Sequence, residues 1–481
     1  MVENKDQNEE TIEENGSKKK KKKKKTAGLN AFVLMFIIVM VISILTYIVP
    51  SGEFEREDVD GRTVVIPNTF EEVEVENLSL MDIFMSFHTG LVNSADIVFT
   101  VFLFGGAIGI MNRTGALDSM IKKLVSLFRD RAYILISVLV LVFALLGSLI
   151  GLAEETLVYI PIIIPLMIAF RFDAITAVGV VFLGVLGVGF TSALTNPYTV
   201  GVAQTIAELP YMSGWEMRLP IFVAFYIVTI WYLIRHANKV KKNPELAING
   251  SYDANNGVDI DWDYKMPMRH LISVIVFALG IGLLIYGVIS HSWYVGEISA
   301  VILGTGVIMG LISRLKLNEI GEGFVKGASD IAVGALIIGF ARAIVIVMEQ
   351  GYMLDVVLNI ASGLLDSLPV EIAAVGMFIT QIFINFFVPS GSGQAALTIP
   401  IMAPLSDLLG ITRQTAVLAF QLGDGIANII VPTFGVLLAA LSIAGISYGK
   451  WLKWVLPYFL IQVGLGIIFI MIAQYIELGP F

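Results

Sequence analysis

Cysteine is missing from this 481-residue sequence, and charged residues make up only 15% of it. The lack of cysteine excludes a disulfide scaffold, thiolate catalysis, iron–sulfur clusters and cysteine-ligated zinc. The sequence contains no Walker A motif, which argues against ATP-driven transport. The histidines are few and show no metal-ligand spacing; they are His88, His236, His270 and His291. We therefore expect neither an enzyme nor a bound cofactor.

Apolar residues are abundant instead, at 56% of the chain. In a soluble protein of this length, so high a fraction of apolar residues would leave many of them exposed to water. Several apolar runs approach the roughly 20 residues that a bilayer-spanning helix requires, among them 31–49, 271–286 and 456–472. The sequence thus predicts an all-α integral membrane protein, with about nine transmembrane helices plus two re-entrant hairpins.

A polar tail at residues 1–26 precedes the first apolar run and contains eight consecutive lysines, Lys18 to Lys25. Such a run repels itself and predicts disorder. Directly before a membrane span, a lysine run fixes orientation and contacts anionic lipid head groups. Nucleic-acid binding is the weaker alternative, because the whole chain carries a net charge of −9. We expect the lipid bilayer as partner and no nucleic acid.

Charge also predicts the orientation in the plasma membrane. The positive-inside rule places the N-terminus in the cytoplasm, the acidic loop at 51–77 outside and the C-terminus outside. Basic loops then fall on the cytoplasmic side only if residues 132–170 enter the membrane and return to the same side. The polar kink at 151–156 interrupts that apolar stretch. This pattern predicts a re-entrant hairpin, since irregular backbone at membrane depth must be buried or line a cavity.

The second half of the sequence repeats the first. Ile-Pro-Ile-Ile-Ile-Pro at 160–165 is matched 239 positions later by Ile-Pro-Ile-Met-Ala-Pro at 399–404, and Thr176 and Gly184 match Thr415 and Gly423 at the same offset. Asp96 and Asp330 each open an apolar span after an amphipathic piece. Because Asp96 is predicted to lie outside and Asp330 inside, the repeats are predicted to be inverted, as in many secondary transporters.

The matched positions and the charged segments divide the chain into two repeats and a linker. We predict a first repeat at 27–235, with a cytoplasmic-side hairpin at about 132–170. A cytoplasmic linker follows at 236–268. The second repeat occupies 269–481, with an outside-facing hairpin at about 370–408.

Four motifs connect the chain to a known family: GLAEETLVYIPIIIP, TSALTNPYTVG, FFVPSGSGQAALTIPIMAP and LGDGIANIIVP. From about Gly28 to its end, the sequence resembles the ion transporter superfamily, most closely the YfcC-like, C4-dicarboxylate anaerobic carrier group. The resemblance implies two hairpin tips and two unwound helices around a central substrate and ion site, a homodimer, and elevator-like motion. Relatives that carry dicarboxylates with sodium often have Ser-Asn-Thr at both tips. This chain has Glu-Glu-Thr and Ser-Gly-Ser-Gly-Gln, so their substrate and coupling ion do not transfer.

Polar residues in the hairpin tips and helix breaks are the candidate site, because ionisable groups at membrane depth are costly and usually functional. The candidate substrate ligands are Glu154, Glu155, Thr156, Thr195, Asn196, Ser390, Ser392, Gln394, Asn428 and Thr433. A coupling Na⁺ or H⁺ is assigned to Asp424, Glu154, Asn196 and Asn428. We expect Asp424, between two glycines, to lie in an unwound stretch.

Structural roles are the alternative at each position. One glutamate could only tie down backbone N–H groups, Pro197 could only kink a helix, and the tip glycines could only permit close helix packing. Arg342, in the apolar run 331–348, is expected to form a structural ion pair rather than to bind substrate.

Charge near the predicted centre favours a particular cargo. Three acids (Glu154, Glu155 and Asp424) face one base (Arg342), which suits an amino acid, including a basic one such as arginine or ornithine, carried with a cation or by exchange. The alternative is a sodium- or proton-coupled C4-dicarboxylate transporter. A channel is the alternative from a different class. The predicted scaffold comprises the spans around 31–49, 273–286 and 298–311, against which the hairpins and broken helices move.

Overall fold

The computed structural model describes residues 30–479, apart from 60, 61, 67, 76, 129, 130, 212, 250–264, 292, 294 and 367. The tail at 1–26, with its lysine run, and the middle of the predicted linker lie outside the described residues. The described part contains 18 α-helices. They are α1 (Ala31–Leu45), α2 (Leu80–Asn93), α3 (Ala95–Arg113), α4 (Ala116–Leu127), α5 (Ala132–Ile150), α6 (Ile160–Ala169), α7 (Ala174–Phe182), α8 (Val200–Ile206), α9 (Trp215–Lys242), α10 (Met268–His291), α11 (Val295–Ile312), α12 (Leu317–Gln350), α13 (Leu354–Asp366), α14 (Val370–Phe387), α15 (Gly391–Leu409), α16 (Arg413–Ala427), α17 (Gly435–Ile443) and α18 (Tyr448–Tyr475).

Three segments depart from α geometry. Glu154–Val158 and Pro244–Leu246 are 3-10 helices, and Leu183–Phe190 continues α7 as a π-helix. The predicted loop at 51–77 contains four short strands, β1 (Gly52–Glu53), β2 (Arg56–Val59), β3 (Arg62–Val65) and β4 (Glu71–Glu72). β1 pairs with β4 and β2 with β3, both antiparallel. We call residues 52–72 the ribbon.

Five helices of the described part are long and apolar enough to cross a membrane by length and composition: α3, α5, α9, α12 and α18. Other apolar helices are shorter. For example, α6 has 10 residues and is about 15 Å long, half of the ~30 Å hydrocarbon core. The prediction of an all-helical, multi-pass membrane protein is confirmed at this level.

The helices pack in two groups. In one group, α12 lies beside α1, α2 and α3, and α3 in turn contacts α11, which contacts α10. The other group contains α5 to α9 and α14 to α18, where α5 packs on the π-helix and α14 and α15 pack on α16. Contacts of α17 with α12 join the two groups.

Glycines bring α3 and α12 into backbone contact. A Cβ added at Gly109 would lie 2.1 Å from the Gly323 carbonyl oxygen, and one at Gly327 would lie 2.0 Å from the Gly105 carbonyl oxygen. Each helix therefore presents a Gly-x-x-x-Gly pair to the other, the spacing that lets membrane helices approach closely. This contact joins the two sequence halves.

The apolar span that opens at Asp330 does not form a separate helix. The amphipathic piece and the apolar span form the continuous 34-residue α12, whereas Ser94 separates α2 from α3. Two local interactions are compatible with continued helix at this point: the Ser329 hydroxyl donates to the Val325 carbonyl at 2.8 Å, and Lys326 pairs with Asp330 one turn away at 3.4 Å.

Helices of similar length recur in the same order in the two halves. α4 and α13 have 12 and 13 residues, and α5 and α14 have 19 and 18. α9 and α18 each have 28 residues. Both helices follow a short helix, α8 or α17, that comes after a helix break.

The described end of the linker docks on the helical body through Asp173, which precedes α7. This fully buried carboxylate accepts hydrogen bonds from the Ile248 N–H at 2.9 Å and the Thr176 N–H at 3.1 Å. Burial opposes its ionisation, but the hydrogen bond and charge of His236, with the hydrogen bonds from the Ile248 N–H and the Thr176 side chain, hold the pKa of Asp173 below its usual value.

The α3–α12 contact predicts a position-specific effect. Gly327→Ala places a methyl group into the backbone of α3 and should lower stability by roughly 1–3 kcal/mol, as overpacking does. Gly321→Ala is the matched control: the added Cβ meets nothing within 4 Å, so a gain of up to about 1 kcal/mol in helix propensity is expected. Thermal unfolding of the detergent-purified variants measures both. Equal unfolding midpoints for Gly327→Ala and Gly321→Ala would contradict the close contact between α3 and α12.

Candidate substrate and cation site

The first helix reversal connects α5 to α6. Phe143 and Tyr159, each eight residues from Gly151, pack edge to face with ring centroids 5.3 Å apart, so the two arms run side by side. Gly151 has a φ of +73°, a left-handed conformation that glycine adopts without strain. Glu155 accepts a hydrogen bond from the Ala153 N–H at 3.2 Å. This glutamate has the backbone-tying contact expected for one of the pair.

The second reversal connects α14 to α15. Ser390 caps α15, and its carbonyl accepts from the Gln394 N–H at 2.7 Å. Gln394 then ties the arms together: its side-chain amide donates to Gln381 at 2.7 Å, and its oxygen accepts from the Asn385 amide at 3.0 Å. The tip is therefore held by neutral, fully buried amides on both arms.

Both tips face one cavity of about 250 Å³. Of the predicted site residues, six line it: Glu154, Glu155, Ser390, Ser392, Asn428 and Thr433. Arg342 also lines it, together with Asn93 and Ser94 at the α2–α3 junction and Tyr198 and Thr199 after the first helix break. Residues far apart in sequence, from both halves, thus meet at one cavity.

The remaining predicted substrate ligands are not among the residues that line the cavity. The Thr156 hydroxyl donates to the Ala153 carbonyl, and the Thr195 hydroxyl donates to the Leu149 carbonyl at 3.2 Å. The Asn196 side chain donates to the Gly147 carbonyl at 3.4 Å and accepts from the Tyr198 N–H at 2.9 Å. With Gln394, these residues hold the helix breaks in place.

The lining of the cavity combines groups that attract anions with carboxyl groups. The N-termini of α15 and α17 line the cavity at Gly391 and Gly435, and Arg342 also lines it. Helix N-termini and guanidinium groups attract anions. Glu154 and Glu155 supply carboxyl groups. A small solute with one carboxylate and one cationic group matches this arrangement.

Backbone groups freed by the helix breaks have partners in other elements. The Leu194 N–H donates to the Ser148 hydroxyl at 2.9 Å, and Gln421 donates to the Phe190 carbonyl at 2.5 Å. After α16, the Trp451 indole N–H donates to the Ile429 carbonyl at 2.9 Å. These contacts let irregular backbone persist among apolar helices.

Four buried oxygens around Asp424 have no hydrogen-bond partner among the described residues: Thr199 Oγ1, Asn385 Oδ1, Asp424 Oδ2 and Asn428 Oδ1. The amides of Asn385 and Asn428 donate to Asp424 Oδ1 at 3.0 and 3.1 Å. A Cβ at Gly391 would lie 2.4 Å from Thr199 Cγ2 and 3.4 Å from Asp424 Oδ2. Unpartnered buried oxygens are costly, and carboxylate, amide and hydroxyl oxygens are ligands for hard cations.

The expectation that Asp424 lies in an unwound stretch is wrong, because α16 continues to Ala427. The flanking glycines serve packing instead. A Cβ at Gly423 would lie 2.4 Å from Gln381 Cβ, and one at Gly425 would lie 2.5 Å from Thr191 Cα. Close approach on two sides therefore accounts for both glycines, and the helix breaks only after Asp424.

Sequence reasoning missed several residues. Thr199 and Tyr198 lie in the TSALTNPYTVG motif, but the predicted ligands in that motif were Thr195 and Asn196, on the other side of Pro197. Gln381 and Asn385 are one turn apart on α14, and a polar pair at that spacing inside an apolar run was a readable signal. Ser94 gave a weaker signal, since it lies two residues before Asp96.

Comparisons with known proteins bear on this site. The sequence profile of the family described as C4-dicarboxylate anaerobic carrier matches residues 30–475. A protein of Escherichia coli (strain K12) named "Putative basic amino acid antiporter YfcC" is 32% identical over 466 residues, covering 88% of this chain and 92% of that protein. An uncharacterized protein of Haemophilus influenzae is 29% identical, covering 87% and 84%. The predicted family resemblance is thereby confirmed.

Two solved transporters are similar over most of the chain. The YdaH transporter of Alcanivorax borkumensis gives a TM-score of 0.42 at 15% identity, covering 94% of this chain and 100% of that one. MtrF of Neisseria gonorrhoeae gives 0.44 at 17%, covering 94% and 96%. At scores this low, neither likeness assigns a function or a site.

The position of Asn196 predicts a structural effect. Asn196→Ala removes the contacts to Gly147 and Tyr198 and should lower stability by roughly 1–3 kcal/mol, the cost of leaving buried polar groups unpaired. Thermal unfolding with and without ligand measures this effect. The midpoint should fall, while the shift caused by a bound ligand should stay. If the variant keeps its unfolding midpoint but is no longer stabilised by ligand, Asn196 contacts the substrate.

Proposed function

The chain belongs to the C4-dicarboxylate anaerobic carrier family, and from that premise we propose that it is a secondary active transporter for an amino acid. A basic amino acid such as arginine or ornithine is the preferred substrate, moved across the plasma membrane by exchange or with a cation. The observation that carries this proposal is one cavity lined by two glutamates, by Arg342 and by two helix N-termini. The glutamates would bind an ammonium or guanidinium group, and the helix N-termini and Arg342 would bind a carboxylate.

The name of the E. coli relative supports the same substrate class. The cavity volume does too: at about 250 Å³ it lies near the lower end of small-molecule sites, which run from roughly 300 to 1,000 Å³. A metabolite of amino-acid size suits it better than a peptide or a lipid.

A C4-dicarboxylate is the second candidate, favoured by the family's description. Its first carboxylate could meet Arg342 and the two helix N-termini. Its second carboxylate would then lie near Glu154 and Glu155, where it requires bound cations or protons to offset the repulsion. The amino acid needs no such compensation, so we place it first.

For the mechanism, we propose alternating access in an elevator-like motion. The group containing α5 to α9 and α14 to α18 would move against α1 to α3 and α10 to α12. The two helix–break–helix elements and the recurring helix lengths support two inverted repeats. The charge pattern supports a cytoplasmic N-terminus and an outer C-terminus, and the family resemblance supports a homodimer. A channel would instead show single-channel conductance.

The cluster around Asp424 is our candidate for the coupling cation, with Na⁺ preferred over H⁺. Its four unpartnered oxygens come from α14, α16 and the two helix breaks, and they lie beside the second tip. A cation here would satisfy oxygens that have no donor and would couple ion binding to the position of Gly391. Of the predicted cation ligands, Asp424 and Asn428 belong to this cluster, Glu154 lines the adjacent cavity, and Asn196 lies apart.

The glutamates that line the cavity predict a charge-dependent loss. Glu154→Gln should weaken L-arginine binding by about 10- to 100-fold, the equivalent of a charged hydrogen bond worth about 1.5–3 kcal/mol. Uptake of labelled L-arginine and succinate into proteoliposomes measures this effect. Glu322→Gln is the control, because this glutamate is exposed and pairs with Arg113. Strong succinate uptake without any response to amino acids would contradict the preferred substrate.

The cation cluster predicts a sodium-dependent stabilisation. Na⁺ that binds only the folded protein raises the melting temperature by mass action. Asp424→Asn should abolish this rise, whereas Asp407→Asn, an exposed carboxylate paired with Arg413, should keep it. A response to pH that Asp424→Asn removes, with no response to Na⁺, would replace sodium by a proton.

A further inference from the structure

A second cavity, of about 460 Å³, lies between the ribbon, the C-terminal end of α12 and the beginning of α15. We call it the vestibule. Arg342, Glu349, Tyr352 and Glu53 line it, together with Ser390 of the second tip. None of the substrate or cation positions inferred from the sequence, apart from Ser390, points to this space.

The vestibule adjoins the central cavity. Arg342, Val345, Val388 and Ser390 line both spaces. A solute in the vestibule would therefore lie next to the central cavity, beside the second tip and the turn of α12 from Arg342 to Val345.

The ribbon covers the vestibule and is fixed to the ends of α12 and α13. The Ser51 hydroxyl donates to the Gly351 carbonyl at 3.0 Å, and the Gly52 N–H donates to the Tyr352 carbonyl at 3.1 Å. The ribbon belongs to the acidic loop that the charge rule places outside. The vestibule thus lies on the proposed outer side.

Two ion pairs line the vestibule, and they differ in the distance between their charged groups. Arg56 binds both oxygens of Asp355 at 2.8 Å, and Asp355 also accepts from the Phe54 N–H at 2.9 Å. Arg342 and Glu349 approach only to 3.8 Å, with 37% and 48% of their side chains exposed. That separation exceeds a hydrogen bond. Arg342 and Glu349 can therefore bind a ligand without breaking a strong pair.

We propose that the vestibule is a second binding site for solutes that carry both a carboxylate and a cationic group. Arg342 binds the carboxylate, as a guanidinium fork does well, and Glu349 binds the ammonium or guanidinium group. The two side chains select zwitterions before they reach the tip, since a dicarboxylate would place its second charge against Glu349. This inference rests on the proposed amino-acid substrate.

The absence of cysteine permits a direct test in the full-length protein. Tyr352→Cys places a single thiol in the vestibule, where Tyr352 is 38% exposed. A membrane-impermeant thiol reagent added to intact cells labels it from outside. L-Arginine at ten times its apparent Kd should slow labelling about tenfold, as single-site occupancy requires. Tyr475→Cys, 89% exposed on α18 and distant from both cavities, is the control whose labelling L-arginine should not change.

Second substitutions separate the vestibule from the central cavity. Protection of the Tyr352→Cys thiol should persist with Glu154→Gln and be lost with Glu349→Gln. The Glu349→Gln protein should still be stabilised thermally by L-arginine, which shows that it is folded and that its central cavity binds. Protection lost with Glu154→Gln but kept with Glu349→Gln would overturn the proposal, because it would come from the central cavity alone.

Two further results separate this inference from the proposed function. If L-arginine is transported but never protects the thiol, the vestibule site is wrong and the transport proposal stands. If L-arginine protects in the Glu349-dependent manner but is not transported, the vestibule site stands and the transport substrate is wrong. If succinate protects the Tyr352→Cys thiol as well as L-arginine does, and Glu349→Gln does not change that protection, the selectivity assigned to Arg342 and Glu349 is overturned.

Discussion

The constraint on which the whole arrangement depends is that a helix broken among apolar neighbours must find partners for its freed backbone groups. In this protein, those partners come from other helices. Ser148 on α5 serves the first break, Gln421 on α16 serves the end of the π-helix, and Trp451 on α18 serves the second break. Ser148 and Trp451 act within their own halves of the chain, whereas Gln421 connects the first broken helix to the second half.

The same constraint makes the exceptions informative. The backbone groups named above are satisfied, yet four side-chain oxygens beside Asp424 are not. A protein that solves the costly backbone problem with three separate side chains has no structural reason to leave a carboxylate oxygen and three neutral oxygens without donors in one place. Beside them lies a cavity lined by helix N-termini and by glutamates. These two features are the basis on which we propose neighbouring sites for a small polar cargo and a cation.

The sequence was sufficient for the coarse features and for the regions of the site. Composition alone predicted a helical membrane protein, and the matched prolines indicated both tips. Four predicted ligands from the tips and two from the second helix break line the cavity. Finer assignments failed where tertiary contact decides. Asp424 lies in continuous helix, and its flanking glycines pack against α14 and against Thr191 after the π-helix, contacts that no local pattern reveals. Asn196 was chosen for its position beside a proline, but the cavity receives Thr199 one turn later. Gln381 and Asn385 were overlooked because glutamine and asparagine in an apolar run carry no charge.

The contact between Gln462 and the π-helix has a consequence for biogenesis. Gln462 donates to the Gly187 carbonyl at 2.7 Å, across a separation of 275 residues. At translation rates of about 5–20 residues per second, the donor is made about 14–55 s after the acceptor. During that interval the π-helical carbonyl lacks this partner. The nascent first half must therefore remain near the insertion machinery, or keep water beside Gly187, until α18 is delivered. Final assembly of the protein thus waits for its last helix.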